Sequence, residues 1–231
     1  MKDLLDRSIA LIPQYITDIT DLISGPKRFL LQRTESDASH LADSLLFLAL
    51  SFVISWLLNI SFLDRDPFIE IAEDASFFVL GVMAFGAALC LAWRLVKGRA
   101  EMKILFVIHF YYAGVLWLMM ALSYMAILGV LRATEVQLYE DYREAVAQGQ
   151  ILEFALKNYE RLNKSDAYLP VFVVGHLIVF IPLVWTISVW GAYRVANHLS
   201  KFRSGVAFML FMLFGIPIMA SVAFVANAVV G

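Results

Sequence analysis

Five stretches of this sequence contain no Asp, Glu, Lys or Arg, and each is long enough to cross a lipid bilayer. A helix needs about 20 mostly apolar residues to span the hydrocarbon layer. Backbone groups find no partners in lipid, and the alternating pattern of a membrane β-strand is missing, so each stretch is predicted to be a helix. The stretches are 45–63, 75–93, 104–131, 167–193 and 204–231. We therefore predict an all-α integral membrane protein with a bundle of five transmembrane helices.

The composition agrees with this prediction and excludes several other classes. Hydrophobic residues make up 61% of the chain and charged residues 16%, against roughly 45–50% and about 25% in soluble domains. The net charge of -2 does not favour a nucleic-acid partner, which requires a basic surface. A single cysteine, Cys90, excludes an internal disulfide and a thiolate metal cluster.

Lys and Arg residues between the stretches predict the orientation in the membrane. The short segment 94–103 carries four and 194–203 carries three, whereas 64–74 carries one. Basic residues concentrate on the cytoplasmic side, so we expect the N-terminus in the cytoplasm and the C-terminus outside. Charges within the first seven residues do not fit a cleavable signal peptide. The expected location is the cytoplasmic (inner) membrane of a bacterium.

Residues 1–40 are predicted to form a cytoplasmic region ahead of a membrane domain at 41–231. An apolar stripe at helical spacing indicates an amphipathic helix, and Pro13 predicts a kink in it or two helices. A partner helix, the bundle or the membrane surface could each cover this stripe. The acidic opposite face favours protein over anionic lipid. The predicted partner-binding residues of this isoleucine stripe are Leu5, Ile9, Ile12, Ile16, Ile19 and Ile23.

A short basic segment follows the helix-breaking residues 24–26. Pro26 is predicted to begin a helix, and its cations are expected among the lipid headgroups. Ordinary positive-inside flanking of the first span would place cations there as well. The residues concerned are Lys27, Arg28 and Arg33.

The long loop 132–166 is predicted to form an extracytoplasmic helical hairpin divided at Gly149. Thr134 and Gln137 fit a capping box that begins the first helix, and both halves carry apolar residues at helical spacing. A hairpin of this size cannot bury a core alone, so it should rest on the bundle or on another protomer.

Four polar residues inside or beside the spans are candidate functional groups: Asp43, His109, His176 and Asn227. Asp43 lies three residues after His40, which allows a proton relay or metal pair, although an acid in a first helical turn is also favoured electrostatically. His176 must find a partner or line a wet cavity. The histidines come from separate segments without the spacing of a ligand pair, so no metal site is predicted.

Small residues recur at every fourth position in two spans, and this allows close helix packing within or between molecules. They are Ala84, Ala88 and Ala92 in the second span, and Ser188, Ala192, Ala196 and Ser200 along the fourth. Pro182 and Pro217 lie in mid-span, where each removes a helical hydrogen bond and can kink the helix.

Sequence patterns of nucleophilic, metal-dependent and nucleotide-dependent catalysis are missing. We therefore expect no enzyme activity and no cofactor.

Two segments resemble the Yip family of Ypt/Rab-interacting membrane proteins, in its short prokaryotic form. Asp21-Leu22-Ile23-Ser24-Gly25-Pro26-Lys27-Arg28-Phe29 is similar to the family's proline-centred segment before the first span. The stretch from Trp185 through Trp190-Gly191-Ala192-Tyr193-Arg194 to Lys201 is similar to its fourth span and following basic turn. The resemblance implies a non-enzymatic protein that assembles with itself or with other membrane proteins and organises membrane complexes. A small permease or channel for an ion or small solute is the competing class.

Overall fold

The computed structural model describes residues 2–35, 40–60, 67–147, 150–166 and 168–230. Within these ranges the chain forms helices only. They are α1 (Lys2–Ser24), α2 (Pro26–Glu35), α3 (His40–Asn59), α4 (Pro67–Leu95), α5 (Met102–Thr134), α6 (Val136–Ala147), α7 (Ile151–Lys164), α8 (Tyr168–Ala196) and α9 (Lys201–Val230).

Five of these helices are long and apolar enough to cross a membrane, which confirms the five predicted spans. They are α3, α4, α5, α8 and α9. Helices α3, α4, α5 and α9 begin earlier than their uncharged stretches do, because a charged residue at a helix end does not stop the backbone hydrogen bonding. Thus α3 begins at His40, and α4 begins at Pro67, ahead of its acidic residues.

The described chain divides into two compact units. The first comprises Met1–Trp117 and Val184–Gly231, and the second comprises Leu118–Leu183. Helices α5 and α8 each contribute residues to both units.

The core of the first unit contains an aromatic stack between α3, α4 and α5. The Phe52 and Phe78 rings stack with centroids 4.8 Å apart, and Trp117 lies 4.7 Å from Phe78. Gly114 on α5 permits this close approach, because a Cβ there would lie 2.9 Å from side-chain atoms of Phe47 and Ser51 on α3.

Small residues of α4 and α8 are buried elsewhere in this unit. Ala88, Ala92 and Ala192 are buried, so at least these members of the two predicted small-residue edges pack within one molecule. Trp93 of α4 stacks on Trp190 of α8, with ring centroids 4.9 Å apart. These buried alanines therefore serve packing within the chain and are not free to contact a second copy.

The α4–α5 and α8–α9 turns begin with the same type of helix C-terminal cap. Two residues after each preceding helix ends, the backbone has a positive φ, 64° at Lys97 and 53° at His198. The hydrogen bond from Gly98 N to Trp93 O matches that from Leu199 N to Arg194 O, as in helix ends of the Schellman type. Buried Asn197 joins the two turns, because its Oδ1 accepts a bond from Ala100 N.

Helices α1 and α2 belong to the same compact unit as most of the spans. Pro13 lies inside a single helix, so the prediction of two separate helices at this point is wrong. Proline removes only its own N–H donor, and the rest of the helix bonds on either side of it.

In the second unit, α6 follows α5 after one residue, Glu135. Thr134 is the last residue of α5, and its hydroxyl donates to the Val130 carbonyl at 2.7 Å. The predicted capping box of Thr134 and Gln137 is therefore wrong. Gln137 instead donates to the Asp141 carboxylate at 3.1 Å.

Candidate functional site

The most distinctive polar site of the described chain lies where α1 packs against α2 and α3. We call Tyr15, Asp18, Arg33 and Ser51 the inner polar cluster. Arg33 Nη2 donates to Asp18 Oδ1 at 2.6 Å, and the hydroxyls of Tyr15 and Ser51 lie 3.0 Å apart. Asp18 and Ser51 are almost completely buried, so these interactions connect helices away from water.

The two partners of the ion pair are unequally exposed. The Asp18 side chain is 8% exposed and that of Arg33 is 24% exposed. Burial raises the pKa of the Asp18 carboxyl above its usual value, and the Arg33 guanidinium opposes this rise. Desolvation is thus the larger influence, and Arg33 offsets only part of its cost.

Two further contacts fix α1 in place. The Tyr15 ring packs on Phe47 of α3, with centroids 4.9 Å apart. The Trp185 indole of α8 donates its Nε1–H to the Leu22 carbonyl at 3.3 Å. Helix α1 is therefore held in its C-terminal half by Tyr15, Asp18 and Leu22, which recur at spacings of three and four.

The isoleucine stripe lies on a different face of α1 from these contacts. Ile12, Ile16 and Ile23 are 52%, 55% and 52% exposed, and Ile19 is half-buried. The side chains of Leu5 and Ile9 lie outside those described. The described part of the chain's own bundle therefore does not cover these three isoleucines. Their binding to a partner stays a prediction.

The predicted headgroup residues separate into two kinds. Lys27 and Arg28 at the start of α2 are exposed and can reach lipid phosphates. Arg33 is bound to Asp18 instead, and its guanidinium also lies 5.1 Å from the Phe29 ring centroid. A headgroup contact of Arg33 stays a prediction, but its contact with Asp18 gives it a role that the sequence did not reveal.

Asp43 lies beside the inner polar cluster in the first turn of α3. Its Oδ2 is 3.3 Å from His40 Nδ1, which places the two side chains together as their spacing predicted. A cavity of about 20 Å³ lies between α1 and α3 and is lined in part by Gln14, Asp18 and Asp43. That volume accommodates a single water molecule.

The remaining candidate polar residues do not join this cluster. His109 is buried on α5, and its Nε2–H donates to the Val82 carbonyl of α4 at 2.8 Å. His176 is exposed on α8, and its Nδ1 donates to the Phe172 carbonyl of the same helix at 2.8 Å. The side chain of Asn227 lies outside those described.

The second unit presents an apolar face of its own. Tyr142 of α6 packs edge-on against Phe154 of α7 at 5.3 Å, and Arg161 binds Asp141 at 3.1 Å. Leu156 and Tyr159 of α7 are nonetheless 74% and 61% exposed. We call these two residues the α7 apolar face.

Among the described residues, no three His, Cys, Asp or Glu side chains come together as ligands for a metal ion. No family model, curated protein or solved structure matches this chain. The similarity to the Yip family stays a prediction from the segments quoted above.

Proposed function

We propose that this chain is a non-enzymatic membrane protein that assembles with itself or with partner membrane proteins and organises membrane complexes, as the resemblance to the Yip family implies. The chain carries an N-terminal amphipathic helix, and an extracytoplasmic helical hairpin supplies the surface for assembly. The proposed location is a bacterial inner membrane, with the N-terminus in the cytoplasm.

The α7 apolar face carries this proposal. Helix α7 is not among the spans, so lipid is not the expected neighbour of Leu156 and Tyr159 if the hairpin lies outside. Large apolar side chains exposed together on a water-facing surface often mark a protein contact. Tyrosine in particular is enriched at such contacts.

The hydrogen bonding of the spans supports assembly over transport. Buried His109 donates to a backbone carbonyl, and Ser55 does the same to the Ser51 carbonyl at 2.7 Å. Just after the end of α8, buried Asn197 donates to the Tyr193 carbonyl at 2.9 Å. A transport pathway instead needs polar groups that face the moving solute.

Mass measurement in lipid nanodiscs tests the proposal. The full chain should form oligomers or recover a membrane partner, and Leu156→Glu should shift the distribution towards monomer. Lys164→Gln is the matched control, because it changes the net charge by the same amount on another side of α7, where the Lys164 side chain is 79% exposed and pairs only with Glu160 of the same helix at 4.0 Å. An unchanged mass distribution in Leu156→Glu would refute assembly through α7.

Solute flux tests the competing class. Reconstituted protein that moves an ion or small solute, and loses that flux on His176→Ala, would establish a permease and overturn the proposal. Flux should be absent under conditions in which the oligomer forms.

A further inference from the structure

The bundle contacts of α1 divide its surface into sides with different surroundings. One side, Tyr15, Asp18 and Leu22, faces the rest of the first unit. At about 100° per residue, the exposed isoleucines lie beside Tyr15, whereas exposed Gln14 and Asp21 lie beside Asp18. The apolar and polar edges are therefore about opposite one another around the helix.

Contacts with α3 show which edge points deeper along that span. Gln14, Asp18 and Tyr15 line one small cavity with Asp43, in the first turn of α3, and with Leu46, Phe47 and Leu50 further along it. Tyr15 reaches Ser51, eight residues further along α3 and thus about 12 Å deeper. The order around α1 is Gln14, Asp18, Tyr15 and then the isoleucines, so the isoleucine stripe lies on the side facing away from the start of α3.

The exposed hydroxyls of α1 need no water. Thr17 donates to the Pro13 carbonyl at 2.9 Å, and Thr20 donates to the Ile16 carbonyl at 2.7 Å. Such bonds within one helix satisfy hydroxyl donors where no solvent reaches them. This arrangement suits a helix that lies partly among lipids.

We infer that α1 lies in the plane of the membrane at the end where α3 begins, with Ile12, Ile16 and Ile23 inserted among the acyl chains of that leaflet. The orientation predicted from Lys and Arg makes this the cytoplasmic leaflet. Gln14 and Asp21 face water, and the exposed cations Lys27 and Arg28 follow at the headgroups. A one-sided helix of this kind is typical of interfacial segments, and here the inner polar cluster fixes its rotation.

Its acidic edge does not oppose this placement. Asp18 is paired with Arg33, and Asp21 lies on the edge that faces water. The binding energy comes from burial of the isoleucines and not from attraction to anionic lipid. Exposed apolar residues also occur in the second turn of α3, at Leu45 and Leu46.

Fluorescence quenching tests this inference on the full chain with Cys90→Ala. A fluorophore is attached at Ile16→Cys or at Gln14→Cys, in vesicles of phosphatidylcholine and phosphatidylglycerol. Nitroxide lipids labelled in the acyl chain should quench the label at Ile16 more strongly than aqueous iodide does. At Gln14, the matched control on the same turn of the helix, iodide should quench the label more strongly than the nitroxide lipids do.

Two results would overturn the inference. Equal access of iodide to both labels would place the isoleucine stripe in water. A label at Ile16 shielded from both quenchers would show that a protein covers the stripe. Ile23→Cys repeats the test about two turns further along α1, so that a local effect at Ile16 does not decide the outcome. Assembly through α7 is measured separately by mass, and either proposal can fail without the other.

Discussion

The guanidinium of Arg33 lies 2.6 Å from the Asp18 carboxylate, and the carboxylate is the more deeply buried of the two. This asymmetry predicts unequal effects of removing each partner. Arg33→Met leaves a buried carboxylate without its counter-charge and should cost about 3–5 kcal/mol. Asp18→Asn should cost less, because water can reach part of the remaining guanidinium.

Thermal unfolding in mild detergent can compare these variants. Cys90 is buried, so a thiol-reactive dye reports its exposure on unfolding. The double variant with Arg33→Met and Asp18→Asn should be more stable than Arg33→Met alone. Equal losses in the two single variants would contradict the asymmetry.

The raised pKa of Asp18 predicts a dependence of stability on pH. Because its carboxyl binds a proton more tightly in the folded chain, this group stabilises the fold most below its unfolded pKa of about 3.9. That contribution is lost as the pH rises through the higher folded value. The stability of the natural chain relative to Asp18→Asn should therefore fall from acid towards neutral pH. A rise over the same interval would show that Arg33, and not burial, dominates.

The hydroxyl contact between Tyr15 and Ser51 should contribute a modest coupling energy. Tyr15→Phe and Ser51→Ala each remove one partner at 3.0 Å, and each should cost about 1 kcal/mol. The double variant should cost less than the sum of the two, since they share one interaction. Strict additivity in the unfolding measurements would argue against the bond.

Gly98 is predicted to be intolerant of alanine. A Cβ at this position would lie 2.3 Å from Asn197 Oδ1 and 2.8 Å from the Trp93 carbonyl oxygen. The backbone oxygen belongs to a helix end and cannot move aside cheaply, so Gly98→Ala should lower the unfolding temperature clearly. Gly205→Ala is the control, because nothing lies within 4 Å of a Cβ there, and alanine favours the helix. Similar behaviour of the two variants would be inconsistent with the joined turns.

The predicted orientation places Arg99 in the cytoplasm. With Cys90→Ala as background, an impermeant thiol reagent added to intact cells should leave Arg99→Cys unlabelled and should label it after lysis. Because the Arg99 side chain is exposed, a cysteine at this position should be accessible to the reagent after lysis. Labelling in intact cells would reverse the orientation.

The spans could be predicted from the sequence because the cost of a charge in lipid restricts each of them to an uncharged run. The docking face of α1 could not be predicted in the same way. Its apolar stripe was evident, but Tyr15 and Asp18 are polar residues whose burial depends on Ser51 and Arg33. Those partners lie 36 and 15 residues away along the chain, and periodicity within one helix carries no information about them.

Thr134 shows a second limit of sequence patterns. A threonine three residues before Gln137 fits a helix start, yet its hydroxyl can equally bond a carbonyl of its own helix. The structure shows the latter, because α5 continues to Thr134. Local chemistry allowed both outcomes, and the length of α5 decided between them.

The short distance in sequence between Asp18 and Arg33 has a consequence for biosynthesis. Both residues are synthesised before α3, and the ion pair joins only α1 and α2. The pair can therefore close before α3 has left the ribosome. Helix α1 would then reach the nascent bundle with its buried charge already matched, and insertion of the first span would not have to wait for a later segment to neutralise it.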